Sequence, residues 1–168
     1  GVTVGVGLGY QDADFRAFGV KMSDRVELFE EKVQILRECW SGKEFSFDGK
    51  HHQIENLTVR PETVQKPNPP IWIGASAPVS ARRAANIGDA LVTTPSTTLD
   101  NTIKLIDQYK TAAVAAGKTP APVIMRDAWV AGSRKKAEEV YGPEVMAAYK
   151  YYWRNGLSEF KSIKDESE

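Results

Sequence analysis

The residues with the clearest capacity for chemistry are Gly74, Ala75 and Ser76, followed by Pro78 and Ser80, where an apolar run gives way to a helix-forming one. Small residues at a strand end let a ligand approach the backbone closely. The first turn of the following helix offers unpaired N–H groups at the positive end of its dipole, so the junction can seat a phosphate. Ser76 reads as the N-cap of that helix, Pro78 suits its first turn, and Gly88 suits its end. An ordinary strand-to-helix connection would use the same residues, and at this level both readings stand.

Other candidate groups carry less. Gly5 and Gly7 sit in a strand-like stretch at residues 2–8, and Gly9 follows it. Their G-x-G-x-G spacing, with no immediate helix and no acidic residue about 20 positions later, excludes a dinucleotide fingerprint. They read as positions of packing or close approach. His51 and His52 are adjacent, would point to opposite faces of a strand, and have no third histidine to join them, so no metal site is expected. They are assigned to an exposed hairpin. Cys39 is the single cysteine, which excludes an internal disulfide and reads as a buried small hydrophobe rather than a nucleophile.

The elements that must position these residues follow from periodicity. Residues 71–73, between two prolines and Gly74, form a short strand apolar on both faces. Before them, residues 10–19 read as a polar loop. A long helix follows, capped by Ser23 or Asp24 with Glu27 closing the box, its stripe Val26, Phe29, Val33, Leu36 and Trp40 ending at Gly42. Residues 44–59 alternate around Asp48-Gly49 as a hairpin, and residues 61–70 form a semi-rigid connector. After Gly88 comes a strand ending at Thr93 and Thr94, then a turn and cap at residues 95–98. The next helix carries Leu99, Ile103, Ile106 and Ala113 on one stripe and stops at Gly117. Residues 123–131 read as a strand, Ser133 as a cap, and residues 135–141 as a helix that Gly142-Pro143 breaks. A second helix restarts there, with Met146, Tyr149, Tyr152 and Trp153 as core or interface, and residues 161–168 read as a frayed tail. Strands alternating with helices imply a parallel sheet, with any site at the strands' C-terminal ends.

Composition narrows the field further. The 168 residues are 42% hydrophobic and 26% charged, enough for one domain, residues 1–168, with a core. Lys and Arg balance Asp and Glu at 22 each, so no net field favours nucleic acid or an acidic membrane. No apolar run approaches the ~20 residues of a membrane span, and a cytoplasmic protein is expected.

Several stretches together resemble the bacterial luciferase-like monooxygenase superfamily: Val6-Gly7-Leu8-Gly9-Tyr10 leading to Phe15-Arg16-Ala17-Phe18-Gly19, the helix ending Trp40-Ser41-Gly42-Lys43, Phe47-Asp48-Gly49-Lys50, Pro67-Asn68-Pro69-Pro70-Ile71-Trp72-Ile73-Gly74-Ala75-Ser76, and Ala84-Ala85-Asn86-Ile87-Gly88-Asp89-Ala90. The resemblance covers nearly the whole chain. It implies an α/β fold that is a partial TIM (β/α)8 barrel, about strands four to seven, with a small β-hairpin insertion and the remaining strands missing. The implied function is a flavin- or deazaflavin-dependent oxidoreductase or monooxygenase using FMN or the 8-hydroxy-5-deazaflavin coenzyme on a small organic substrate. The alternative is a non-catalytic flavin-binding or interaction protein, or an inactive fragment. The family's phosphate corner falls on Gly74, Ala75 and Ser76 with Ser80 as a second hydroxyl. Its fourth-strand terminus, beside the ring, falls on Gly7, Gly9 and Tyr10, and its sixth-strand terminus on Thr93 and Thr94. Leu8 stands where luciferase itself has an arginine for the phosphate, which argues against light emission, and no catalytic residue is assigned. Two open sheet edges would suit a homodimer.

Overall fold

The computed structural model describes residues 1–160; the tail expected to fray lies outside the described residues. The chain runs β1 (Val4–Val6), α1 (Asp12–Ala17), α2 (Arg25–Ser41), β2 (Phe45–Asp48), β3 (Gln53–Leu57), β4 (Ile71–Ala75), α3 (Pro78–Ile87), β5 (Ala90–Thr93), α4 (Leu99–Ala115), β6 (Pro122–Val123) and α5 (Arg134–Arg154). Four strands form one parallel sheet in the order β1-β4-β5-β6, while β2 and β3 pair separately as an antiparallel hairpin. With the hairpin set aside, sheet order is sequence order and helices lie in the crossovers. That is the parallel α/β arrangement expected.

The core forms where β4 is covered. Ile71, Ile73 and Leu91 are buried beneath Ala81, Ala84 and Ala85 of α3, with Leu105, Tyr109 and Ala113 of α4 alongside. Alanines on the inner face let α3 approach the sheet closely. Both termini of this unit are pinned. Asp89 Oδ2 accepts the Ile71 N–H at 2.7 Å and pairs with Arg37 Nη2 at 2.9 Å, and Arg37 also donates to the Ile87 carbonyl. Lys118 Nζ donates to the carbonyls of Asn86 and Gly88, so two cations satisfy the last carbonyls of α3. Burial pulls the Lys118 ammonium below its ordinary range, with Asp89 acting in the opposite sense.

Several expectations are corrected. Residues 10–19 are not wholly loop, because α1 occupies Asp12–Ala17. The α2 stripe packs on the core through Val33, Phe29, Leu36 and Trp40, but Asp24 makes no side-chain capping bond and Ser23 Oγ donates to it instead. Glu27 is drawn to the hairpin, accepting from Lys50 Nζ and pairing with His51 Nε2. Glu31 accepts the N–H groups of Lys50, His51 and His52 and pairs with His52 Nδ1 at 2.8 Å. The histidine hairpin is therefore clasped to α2 rather than exposed, and both histidines are half-buried. Hydrogen bonds from Lys50 and His51 hold the Glu27 carboxyl below the usual range. Burial pushes Glu31 the other way, but bonds from His52, His51 and Lys50 outweigh it and the carboxyl is lowered.

On α4 the buried residues are Thr102, Leu105, Tyr109 and Ala113, whereas Leu99 and Ile103 are exposed. The buried polar groups find partners: Thr102 Oγ1 donates to Thr98 O, and Tyr109 Oη accepts the Ala121 N–H. This allows a face that hydrophobicity alone did not select. The strand expected over 123–131 is only Pro122–Val123, at the edge of the sheet with no strand on its outer side among the described residues. Helix α5 passes through Pro143 without a break. Pro143 has no N–H for the carbonyl of Glu139, and both residues are exposed, so water can serve that carbonyl. None of the residues of α5 is buried, which places its aromatic residues outside the core. Cys39 is half-buried and unpaired. Among the described residues no helix is long and apolar enough to cross a membrane.

Gly88 ends α3 for want of space rather than for conformation. A Cβ there would stand 2.8 Å from Ala84 O and 2.9 Å from Ile73 Cδ1. Gly88→Ala is expected to cost about 1–3 kcal/mol of stability, the usual cost of overpacking, in urea unfolding. An unchanged midpoint would mean that α3 and β4 are less tightly apposed than this.

Candidate functional site

The parallel register brings the candidate residues to one edge. Val6 pairs with Ile73, Gly74 with Val92 and Ala75 with Thr93, so Gly7, Gly74 and Thr93 all lie at the C-terminal ends of neighbouring strands. Two clefts open at these ends. One of about 460 Å³ lies between the N-termini of α3 and α4 and is lined by Ser76, Ser96, Thr97, Asn101, Lys104 and Glu159, among others. The other, about 330 Å³, takes Gly7 and Gly9 together with Phe15, Phe18 and Phe29. Of the sequence candidates, Ser76 therefore faces one cleft and Gly7 and Gly9 the other, while Gly74, Ala75, Ser80, Tyr10, Thr93 and Thr94 line neither.

The corner between β4 and α3 differs from expectation in one decisive respect. The N-cap is Ala77, not Ser76. Ser80 Oγ reaches back to accept the N–H groups of Ser76 at 3.2 Å and Ala77 at 3.0 Å, and donates to Ala77 O at 2.8 Å. An alanine cannot cap with its side chain, so the serine three residues on takes over that task. Ser76 lies outside the helix with an exposed side chain, and its hydroxyl has no hydrogen bond among the described residues. The N–H groups of Val79 and Ser80 belong to a first turn that has no intrahelical partners. The Ser76 hydroxyl and the Lys104 ammonium line this cleft, and with the first-turn amides that follow Pro78 they make a donor set suited to a phosphate. Glu159 at the cleft edge opposes an anion.

Thr93 and Thr94 have other partners. Thr93 is fully buried, and its hydroxyl accepts the Met125 N–H at 3.3 Å, bracing β5 to the segment after β6. Thr94 Oγ1 donates to Glu159 Oε1 at 2.6 Å, which leaves Thr97 as the donor in the 2.6 Å contact between the two threonine hydroxyls. Beyond β6, Asp127 accepts from the hydroxyls of Tyr141 and Tyr149, and Trp129 stacks on Tyr141 at 5.3 Å. Burial, then the bond and charge of Asp127, push the Tyr149 phenol up to about 12. Among the described residues no group of three or more His, Cys, Asp or Glu side chains could hold a metal ion.

Sequence reasoning missed Ser96, Asn101 and Lys104 as cleft residues. The signal was available: α4 follows β5 as α3 follows β4, and the same rule that singled out Ser76 points to the start of the next helix.

The family follows from this fold and these strand ends. The chain belongs to the luciferase-like monooxygenases, whose family model matches residues 1–167. It is 30% identical over 125 residues to the oxygenase component of a flavin-dependent trigonelline monooxygenase from Acinetobacter baylyi, covering 73% of this chain and 34% of that protein. It is 28% identical over 127 residues to an F420-dependent glucose-6-phosphate dehydrogenase from Gordonia bronchialis, covering 76% and 35%. Among solved structures, monooxygenase RslO1 from Streptomyces bottropensis superposes with a TM-score of 0.79 at 27% identity, covering 88% of this chain and 46% of that one. The fold is a partial TIM barrel, and the chain spans about a third of the length of these curated relatives.

The capping arrangement separates two serines that look equivalent in sequence. Ser80→Ala is expected to lower stability by about 0.5–2 kcal/mol, and Ser76→Ala to leave it unchanged within a few tenths, in thermal or urea unfolding. A larger loss for Ser76→Ala would return that residue to the role of helix cap.

Proposed function

We propose that this chain supplies the cofactor-phosphate region of an oxidoreductase or monooxygenase that uses FMN or the 8-hydroxy-5-deazaflavin coenzyme (F420) and acts on a small organic substrate. The observation that carries this reading is the division of labour at the β4–α3 corner: Ser80 caps the helix, and the Ser76 hydroxyl is left unspent beside the first-turn N–H groups. A phosphate held there would be bound by Ser76 Oγ and the backbone, with Gly74 and Ala75 keeping the approach clear and Lys104 countering its charge. Gly7, Gly9 and Tyr10, at the end of the adjacent strand, would flank the ring side, and Thr94 would border the phosphate side. The reduced ring supplies hydride or oxygen chemistry when bound, and the protein's part is to bind and orient it. Relatives that depend on a flavin and on F420 both support a phosphate-bearing cofactor of this kind.

The same reading places the protein in the cytoplasm, where a free Cys39 is at home, as a homodimer whose second copy covers the sheet edges at β1 and β6.

A hydrogen bond to a charged oxygen is worth about 1.5–3 kcal/mol, so Ser76→Ala in the full chain should weaken FMN binding by about one to two orders of magnitude. Riboflavin, which lacks the phosphate, should bind the variant nearly as well as the parent. Equal losses for both ligands in fluorescence titrations, or no loss for either, would place the phosphate elsewhere.

A further inference from the structure

The connection from β5 to α4 forms the far wall of the 460 Å³ cleft, and its shape is set from outside. Arg126, three residues beyond β6, donates through Nη1 to Pro95 O at 3.0 Å and to Thr97 O, and through Nη2 to Thr102 Oγ1 at 2.7 Å. Thr102 Oγ1 in turn donates to Thr98 O at 2.9 Å, and the Thr98 side chain caps α4 by accepting the Asn101 N–H. One planar guanidinium fork thus ties together two loop carbonyls and the first turn of the helix, a geometry that a single-point lysine cation cannot reproduce.

Ser96 lies between the two carbonyls that Arg126 holds. Its Oγ is buried and has no hydrogen-bond partner among the described residues. A buried unpaired hydroxyl costs stability, and a free loop would turn it out to water. The loop keeps it buried all the same, and Arg126 holds the carbonyls on both sides of it.

We propose that Arg126 is a positioning residue: through Pro95, Thr97 and Thr102 it fixes the wall formed by residues 96–98 that faces Ser76 across the cleft. This rests on the cofactor reading above for its functional consequence, but the hold on the loop is a separate fact about the free protein. Arg126 acts without touching a ligand: its Nη1 and Nη2 groups donate to the loop and to Thr102. It acts by keeping Thr97 and the N-terminus of α4 where they complete the anion site.

The test uses the full chain with Arg126→Met, which keeps the stem and removes the fork, Arg126→Lys, and Arg126→Met combined with Ser96→Ala. Hydrogen–deuterium exchange of residues 94–102 should rise about tenfold or more in Arg126→Met, while β1 and β4 stay as protected as in the parent. FMN affinity, normalised to folded protein, should fall about tenfold with riboflavin within about twofold, the fold-change expected for losing about one hydrogen bond's worth of positioning. Arg126→Lys should fall between. The double variant should recover part of the lost FMN affinity, because removing the unpaired hydroxyl removes the drive to open the loop. Unchanged exchange at residues 94–102 would overturn the inference whatever the cofactor. Raised exchange with unaltered FMN binding would overturn the positioning role at the anion site. If the parent binds neither FMN nor the deazaflavin coenzyme, the cofactor reading fails and with it the claim of a completed anion site, while the exchange result still decides whether Arg126 holds the loop.

Discussion

Everything at the candidate site depends on how closely α3 lies against β4. Three alanines and a glycine make that approach possible: Ala81, Ala84 and Ala85 face Ile71, Ile73 and Leu91, and Gly88 leaves no room for another carbon. The helix is then fixed at both ends by polar contacts. Ser80 serves the N-terminal amides, and Arg37 and Lys118 serve the C-terminal carbonyls. Because each end is anchored from within, the position of the first turn relative to the strand end does not rely on a bound ligand, while the Val79 and Ser80 N–H groups keep no intrahelical partner. A site preorganised in this way binds an anion without reordering the backbone.

The neighbouring β5–α4 unit repeats the plan with different means. Thr98 caps α4 directly, and Arg126 braces the loop from the next strand. The cleft between the two helix N-termini is therefore bounded by one wall that holds itself and one that is held by its neighbour. The hydroxyl left unspent on one side, Ser76, is exposed, while the one on the other side, Ser96, is buried.

Much of this was legible in the chain. The strand at residues 71–73, which the structure carries on through Gly74 and Ala75, the serine-rich turn and the alanine helix are local features that local rules could find. The distinction between Ser76 and Ser80 was not legible, because either hydroxyl can cap and only the backbone angles at Ala77 decide which does. The α4 face was misread for a related reason. Thr102 and Tyr109 look polar in a list of residues, yet their hydroxyls are satisfied by partners far away or a turn back, which periodicity cannot register. The hairpin clasp escaped because it joins Glu31 to backbone N–H groups about 20 residues on. Pro143 was read as a break because its local rule is strong, and an exposed helix simply tolerates the lost bond.

The central claim is that a phosphate is received by the first turn of α3. Amide NMR of the full chain titrated with FMN and, separately, with riboflavin tests it most directly. The account predicts that the N–H resonances of Val79 and Ser80 shift with FMN and stay in place with riboflavin. Shifts of equal size with both ligands, or FMN-specific shifts confined to another strand end, would contradict it.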